Sequence, residues 1–241
     1  MNKSFSITHA LLVAMLLFLT PSFANDIYIT QSGDGLDLVM DQDGANNIIG
    51  TSSTDVTLTG DTMTFAITQT GSSNTIAAII KGDTYTGTWQ FTGDSNTVDL
   101  LCSSSASGNC DTVTLNITTT GDDNTYDFDI GESADADSST VSFTVTGDNN
   151  IINTDVDGQS TALTVTLDNN SSLSTNSSNS DEGVTITTTQ SGNGDSQGMG
   201  ITLGVTGGGG TVDITQSGVN DNIVDLTIAG DDFDVDIIQR D

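Results

Sequence analysis

The side chains that could carry out chemistry in this 241-residue chain are few, and most of them are carboxylates. The single histidine, His9, lies in an apolar N-terminal segment, so no histidine-based triad can form in the rest of the chain. Most of the 33 acidic residues are Asp, placed in turns or at the polar positions of alternating segments. Such positions predict a solvated, charged surface. We therefore expect neither an enzyme nor a small-molecule substrate.

The segment SGDGLDLV (32–39) is the best candidate for a metal site. It nearly matches the nonapeptide G-G-x-G-x-D-x-U-x of calcium-binding β-rolls, with Ser32 in place of the first glycine. Asp34 and Asp37 would be natural oxygen ligands for calcium. A β-roll repeats this motif in tandem, and this chain does not. No cofactor is therefore expected, and weak calcium binding at Asp34 and Asp37 is the alternative.

Cys102 and Cys110 are the only two cysteines, and they enclose a short loop (102–110). In an exported protein, cysteines this close favour a disulfide bond. Two unpaired thiols are the alternative, whereas a metal site would lack its remaining ligands.

Residues 1–24 have the features of a secretory signal peptide: an early lysine, an apolar run and a small-x-small end at Ser22–Ala24. A short anchor that stays in place is the alternative. The mature chain (25–241) would be secreted, and it keeps only Lys81 and Arg240 as basic residues. With a net charge of −30, the protein should not bind nucleic acid or anionic lipid.

A repeat built on glycine organises residues 25–241. Gly60, Gly71, Gly82 and Gly93 follow one another at intervals of 11 residues. Five-residue insertions, the Cys loop and a degenerate stretch at 168–183 interrupt this spacing elsewhere. The repeat predicts turns at Gly33, Gly44, Gly60, Gly71, Gly82, Gly93, Gly121, Gly147, Gly158, Gly192 and Gly218.

The segments on both sides of these glycines alternate strictly between apolar and polar residues. Val113, Leu115 and Ile117 precede Gly121 on one parity, and Tyr126 and Phe128 follow it on the other. Strict alternation is typical of half-buried strands, and the change of parity lets both strands face one interior. We predict an all-β fold: a β-solenoid of stacked strand-turn-strand repeats with about 22 residues per coil in two 11-residue halves.

Amide side chains recur at fixed places in the repeat. A Gln often stands two residues before the glycine and an Asn three residues after it, on the same parity as the apolar residues. If they point inward, each amide can pair with an amide of the next coil and form a ladder. The alternative is that they lie at wet turn edges. The predicted ladder residues are Gln31, Gln69, Gln190, Gln216, Asn74, Asn96, Asn124, Asn150 and Asn222.

The Gln-x-Gly motifs, the Asn three residues later and the repeat length resemble the curlin repeats, which build the subunits of curli. The resemblance covers most of residues 27–238. It implies a secreted protein that assembles with itself into extracellular amyloid fibres of a biofilm matrix and serves adhesion. It also implies an outer-membrane secretion pore and a nucleator or co-subunit as partners. The alternative is a soluble or surface-attached β-solenoid adhesin or scaffold that calcium stabilises.

Overall fold

We describe the protein from a computed structural model covering residues 26–50, 55–102, 110, 112–131, 138–147, 149–156, 160–168, 172–178, 184–192, 199–207, 209–218 and 222–240. The predicted signal peptide, most of the Cys loop, Gly158 and much of 168–183 lie outside these residues. Over the described ranges the fold is all-β, without a helix, as the alternation predicts. Within the described ranges, accordingly, no helix is long and apolar enough to cross a membrane.

The strands form two parallel sheets that the chain visits in turn. The first sheet contains β1 (Asp26–Ile27), β2 (Thr30–Ser32), β4 (Ile48–Ile49), β5 (Val56–Thr59), β7 (Thr75–Lys81), β9 (Thr97–Cys102), β11 (Thr125–Ile130), β13 (Ile151–Val156), β15 (Ser172–Ser178), β17 (Met199–Gly207) and β19 (Asn222–Gly230). The second sheet contains β3 (Asp37–Asp43), β6 (Met63–Thr70), β8 (Thr84–Thr92), β10 (Thr112–Thr120), β12 (Ser138–Thr146), β14 (Thr161–Asp168), β16 (Val184–Gly192), β18 (Gly210–Gly218) and β20 (Phe233–Arg240).

Strand order within each sheet follows the chain, so that every coil lies on the one before it. In the second sheet the order runs from β3 to β20 without a crossover, and every pair is parallel and in register. Equivalent residues of successive coils therefore form straight columns about 4.8 Å per step. This is the predicted β-solenoid.

The coils are longer on average than the predicted 22 residues, at about 26. Residues that occupy the same place in consecutive coils are separated by 27, 22, 28 and 26 positions in the series from Asn47 to Asn150. The shortest of these steps is the predicted period. The longer ones contain the insertions and the Cys loop, and the strands that follow them keep the parallel register of the stack.

The core is the narrow space between the two sheets. Along β8, Tyr85, Trp89 and Phe91 are buried, while the threonines between them are exposed. The Trp89 ring contacts Phe65 and Phe128 of neighbouring coils at centroid distances of 5.7 and 6.1 Å, and Phe91 of its own strand at 6.5 Å. Alternation thus gives each strand one face for the core and one for solvent.

Candidate functional site

A column of glutamines lies on the inward face of the second sheet near each end of the solenoid. At the C-terminal end, the Nε2 of Gln216 donates to Oε1 of Gln190 (3.0 Å), and the Nε2 of Gln239 donates to Oε1 of Gln216 (2.8 Å). At the N-terminal end, the Nε2 of Gln69 donates to Oε1 of Gln42 (2.8 Å). Each amide therefore serves as donor or acceptor for the next coil, which fixes the register of neighbouring strands.

The middle of the same column contains no glutamine. In register with Gln69 stand Phe91, Thr119, Val145 and Leu167, which lead on to Gln190. Thr119 is fully buried, and its hydroxyl accepts a hydrogen bond of 2.7 Å from Tyr126 in the facing sheet. Burial raises the pKa of Tyr126, so the tyrosine hydroxyl keeps the proton that it donates to Thr119. The Oε1 of Gln69 faces this apolar stretch without a hydrogen-bond partner among the described residues.

A second column, of asparagines, follows the turn that leads from the second sheet to the first. Its members are all nearly fully buried: Asn47, Asn74, Asn96, Asn124 and Asn150. The side-chain oxygen of each of the last four accepts a hydrogen bond from the backbone N–H of the preceding asparagine, at 2.8–3.0 Å. Such buried amides stabilise the stack only when the neighbouring coil is present.

The structure brings most of the predicted amides together, but two of them lie outside these columns. Gln31 is in the first sheet, in register with Leu58, and its Nε2 donates to the carbonyl of Gly33 in its own turn. Its predicted place in a ladder is therefore wrong. Asn222 is in register with Met199, so no asparagine precedes it in the described coils.

Sequence reasoning missed Gln42, Asn47 and Gln239. The first two belong to the unit around Gly44 and show the same spacing as Gln69 and Asn74 around Gly71, so the motif could have found them. Gln239 has no following glycine, and only its register with Gln216 identifies it.

The predicted turn glycines form two stacks, one at each edge of the sheets. In the stack of Gly44, Gly71, Gly93, Gly121 and Gly147, each φ lies between 131° and 141°. A Cβ on any of the last four would overlap the carbonyl of the glycine in the coil before. Glycine is needed here for backbone conformation and for space.

The opposite stack begins with Gly33, Gly60 and Gly82. Gly82 has no left-handed φ, but a Cβ there would overlap the carbonyl of Gly60. Gly192 and Gly218 are the last residues of β16 and β18 rather than separate turn residues.

Cys102 and Cys110 form a disulfide bond, in agreement with the prediction from their spacing. Cys102 ends β9, and the backbone N–H of Cys110 donates to the carbonyl of Gly82 at 2.9 Å. Both residues are fully buried. The bond therefore closes the Cys loop at the position where other coils carry a glycine turn.

The candidate calcium ligands occupy different local settings. The Oδ1 of Asp34 accepts a hydrogen bond from the backbone N–H of Asp61 (3.0 Å), and Asp37 is the exposed first residue of β3. The described part of the chain contains no group of three His, Cys, Asp or Glu side chains that could hold a metal ion. In this structure Asp34 serves to connect two turns.

Several carboxylates of the middle coils lie close together on the outer surface of the first sheet. Asp55, Asp99 and the small Ala77 between them line a shallow cavity of about 190 Å³. Burial raises the pKa of Asp99, and the charges of Asp127 and Asp55 raise it further. This surface thus contains carboxylates that repel one another.

Both ends of the solenoid leave inward-facing side chains uncovered. Val235 and Ile237 in β20 are 39% and 44% exposed, although they are in register with the buried Val212 and Ile214. At the other end, Ile27, Leu36 and Leu38 are only partly buried against the core.

No protein-family model, curated protein or solved structure matches the chain.

Proposed function

We propose that the protein is a secreted structural subunit that stacks end to end into extracellular, curli-like amyloid fibres of a biofilm matrix. The observation that carries this proposal is the exposure of Val235 and Ile237, two side chains of the core column that no other strand among the described residues covers. A terminal strand with an uncovered apolar face and a free edge favours addition of another strand. A second copy of the chain supplies a strand with the same alternation of apolar and polar residues.

The two ends of the molecule complement one another when the columns are continued from one copy into the next. Stacking β3 of one copy on β20 of another in the native register places Gln42 against Gln239. The glutamine columns of the two copies then join into one. The same register brings Phe233, Val235 and Ile237 against Leu36, Leu38 and Met40, so the joint is apolar where the core is apolar.

Charge also favours this register at one position and opposes assembly at another. Arg240, one of two basic residues outside the N-terminal segment, would stand beside Asp43 of the next copy. Asp234 would stand beside Asp37, and like charges directly opposite each other destabilise strand pairing. Because the chain carries a net charge of −30, elongation should accelerate as salt screens repulsion between copies.

The resemblance to curlin repeats supports the remaining parts of the proposal. Export would remove residues 1–24 and pass the chain through an outer-membrane secretion pore. A nucleator or co-subunit would start the fibre, and the fibre would serve adhesion. Detection of fibres on producing cells, with a mature N-terminus near Asn25, tests this localisation.

Assembly is tested with the purified mature chain at neutral pH, followed by thioflavin fluorescence and electron microscopy with and without EDTA. We expect fibres in both conditions and faster growth at higher ionic strength. A monomer that unfolds in EDTA would contradict the proposal and favour the calcium-stabilised adhesin or scaffold. Growth that salt slows would contradict the electrostatic part.

A matched pair of variants tests the site of addition. Ile237→Lys places a charge on the inward side of the last strand, and we expect it to stop elongation. Ile151→Lys introduces the same residue at an equally exposed position (44%) on the outward side of β13 and should leave elongation unchanged. Equal behaviour of the two variants would exclude β20 as the joint.

A further inference from the structure

The outward surface of the second sheet is an array of threonines. We use the name threonine face for the outward positions of β6, β8, β10, β12, β14 and β16. Its threonines with described side chains are Thr64, Thr68, Thr70, Thr84, Thr86, Thr88, Thr92, Thr112, Thr114, Thr118, Thr120, Thr140, Thr144, Thr146, Thr164, Thr166, Thr185, Thr187 and Thr189. The other described side chains of this face are Ala, Ser, Asn and Gln.

The strand register arranges these threonines as a two-dimensional lattice. Thr70, Thr92, Thr120 and Thr146 form one unbroken column, and Thr118, Thr144, Thr166 and Thr189 form another. Neighbours within a column are about 4.8 Å apart, and columns are about 6.6 Å apart along the strands, which is twice the rise per residue. The β-branched side chain restricts χ1, so the array is stiff.

Acidic residues are rare at these outward positions, although the chain has 33 of them: only Asp168, the last residue of β14, occupies one. None of the described outward side chains of the six strands is charged. The outward positions of β9, β11 and β13 in the first sheet include Asp99, Asp127, Asp129 and Asp155. The preference of threonine for strands would act equally on both sheets. It therefore does not explain why carboxylates are frequent at the outward positions of β9, β11 and β13 and rare on the six strands of the threonine face.

The chemistry of the face restricts what it can bind. Polyelectrolytes and ions need opposite charges, which its described side chains lack. The described aromatic residues of its strands, such as Tyr85, Trp89 and Phe91, are buried on the other side, so no aromatic ring is available for stacking on a sugar or a base. A rigid lattice of alternating methyl and hydroxyl groups can instead order water, because methyl groups restrict neighbouring water and hydroxyls anchor it by hydrogen bonds.

We propose that the threonine face binds ice. Because hydroxyl and methyl groups repeat regularly in two directions, water ordered on the face can form a layer that joins the crystal lattice. The described side chains of the face are uncharged, as is the ice surface, and carboxylates of the second sheet stand outside it on β3, β18 and β20. This activity belongs to the single folded chain and does not depend on fibre formation.

The test is partition of the freshly purified mature chain between slowly growing ice and the remaining liquid, with ice-crystal shape as a second readout. We expect the protein to be enriched in ice and to produce faceted crystals. Thr118→Tyr combined with Thr144→Tyr disrupts the centre of the face and should abolish both effects. Thr97→Tyr combined with Thr202→Tyr changes exposed threonines of the first sheet and should leave both effects intact.

Circular dichroism verifies that each variant keeps its β-structure. If the double tyrosine variant does not fold, Asn116→Lys on the face and Thr202→Lys on the first sheet provide the same comparison with single exposed changes. Exclusion of the unmodified chain from ice, or equal enrichment of face and control variants, would overturn the proposal. Adsorption to crystalline cellulose but not to ice, lost in the face variant, would overturn it in favour of a polysaccharide.

Discussion

The middle of the solenoid and its two ends use one strand register for different side chains. Between β8 and β14, the inward column that starts at Gln42 contains Phe91, Thr119, Val145 and Leu167, and aromatic rings fill the neighbouring positions. Towards both ends the same column consists of glutamines joined by side-chain hydrogen bonds.

This difference indicates a division of roles. Apolar packing stabilises any strand register that keeps the same side chains on the inward face. An amide buried out of register, in contrast, loses its hydrogen-bond partner. The middle therefore supplies most of the stability of the folded chain. The glutamines specify register where a coil has a neighbour on one side only, which is where another copy would have to align.

The largest effect is expected in the middle of the core. Trp89→Ala removes a fully buried ring with three aromatic contacts and should lower the free energy of unfolding by about 3–5 kcal/mol. Ile237→Ala at the open end should change it little because the side chain is already 44% exposed. Urea denaturation of the monomer measures the free energy of unfolding of both variants. Similar decreases for the two would contradict the distinction between the middle and the ends of the solenoid.

The glycine stack tests whether the turns of the middle coils tolerate a side chain. Gly93→Ala places a Cβ on the carbonyl of Gly71 at a φ of 131°, and we expect a loss above about 2 kcal/mol. Gly200→Ala, in β17, meets no atom within 4 Å and should be nearly neutral. Thermal unfolding of both variants provides the comparison. A neutral Gly93→Ala would mean that the coils can separate at this turn.

The glutamine column allows a comparison within one residue type. Gln216→Leu removes the side-chain hydrogen bonds to Gln190 and Gln239 and the bond to the carbonyl of Ile223, and should cost about 1–3 kcal/mol. Gln69→Leu should cost less, because it breaks one side-chain hydrogen bond to Gln42 and removes an oxygen that has no partner beside Phe91. Chemical denaturation measures which variant loses more stability. A larger loss for Gln69→Leu would contradict a stabilising role for both the Nε2 and the Oε1 of Gln216.

The smallest effect concerns the acidic surface of the first sheet. The pKa of Asp99 is raised in the folded chain, so the folded state takes up a proton more readily than the unfolded state. At neutral pH the charged Asp99 carboxylate lowers the stability of the folded chain. This loss should disappear as the pH falls through the raised pKa and the carboxylate takes up a proton. Asp99→Asn should therefore raise the unfolding midpoint at pH 7 and leave it unchanged below the ordinary pKa of Asp.

Asp213→Asn, an exposed change on β18, serves as the control for that measurement. A midpoint that shifts equally for Asp99→Asn and Asp213→Asn would attribute the effect to net charge rather than to the crowded carboxylates.

The sequence predicts the strands and their inward faces well because alternation directly reflects burial. Val113, Leu115 and Ile117 are buried as their parity requires. Coil length was less predictable, since insertions at the turns do not alter the pattern within strands. Gln31 shows a second limit: Gln-x-Gly occurs before both kinds of turn, and only the strand register distinguishes the turn at Gly33 from the turn at Gly71.

Gln239 and the threonine face show a third limit. Gln239 joins the glutamine column through pairing with a strand 23 residues earlier, and no local motif marks it. Each outward threonine is unremarkable by itself as a strand residue. Only the register of six strands shows that the described threonines form one array without charge.

Cross-linking across the joint tests the central claim most directly. The native register would place Ile238 of one copy about 4.8 Å from Asp41 of the next, within reach of a disulfide, whereas the two positions of one copy are about 38 Å apart. Fibres of the double variant Asp41→Cys, Ile238→Cys should give covalent multimers under mild oxidation. Fibres of Asp41→Cys, Thr144→Cys should not. Fibres of the first variant that form without cross-links, or with links only between two copies of position 238, would contradict end-to-end stacking in register.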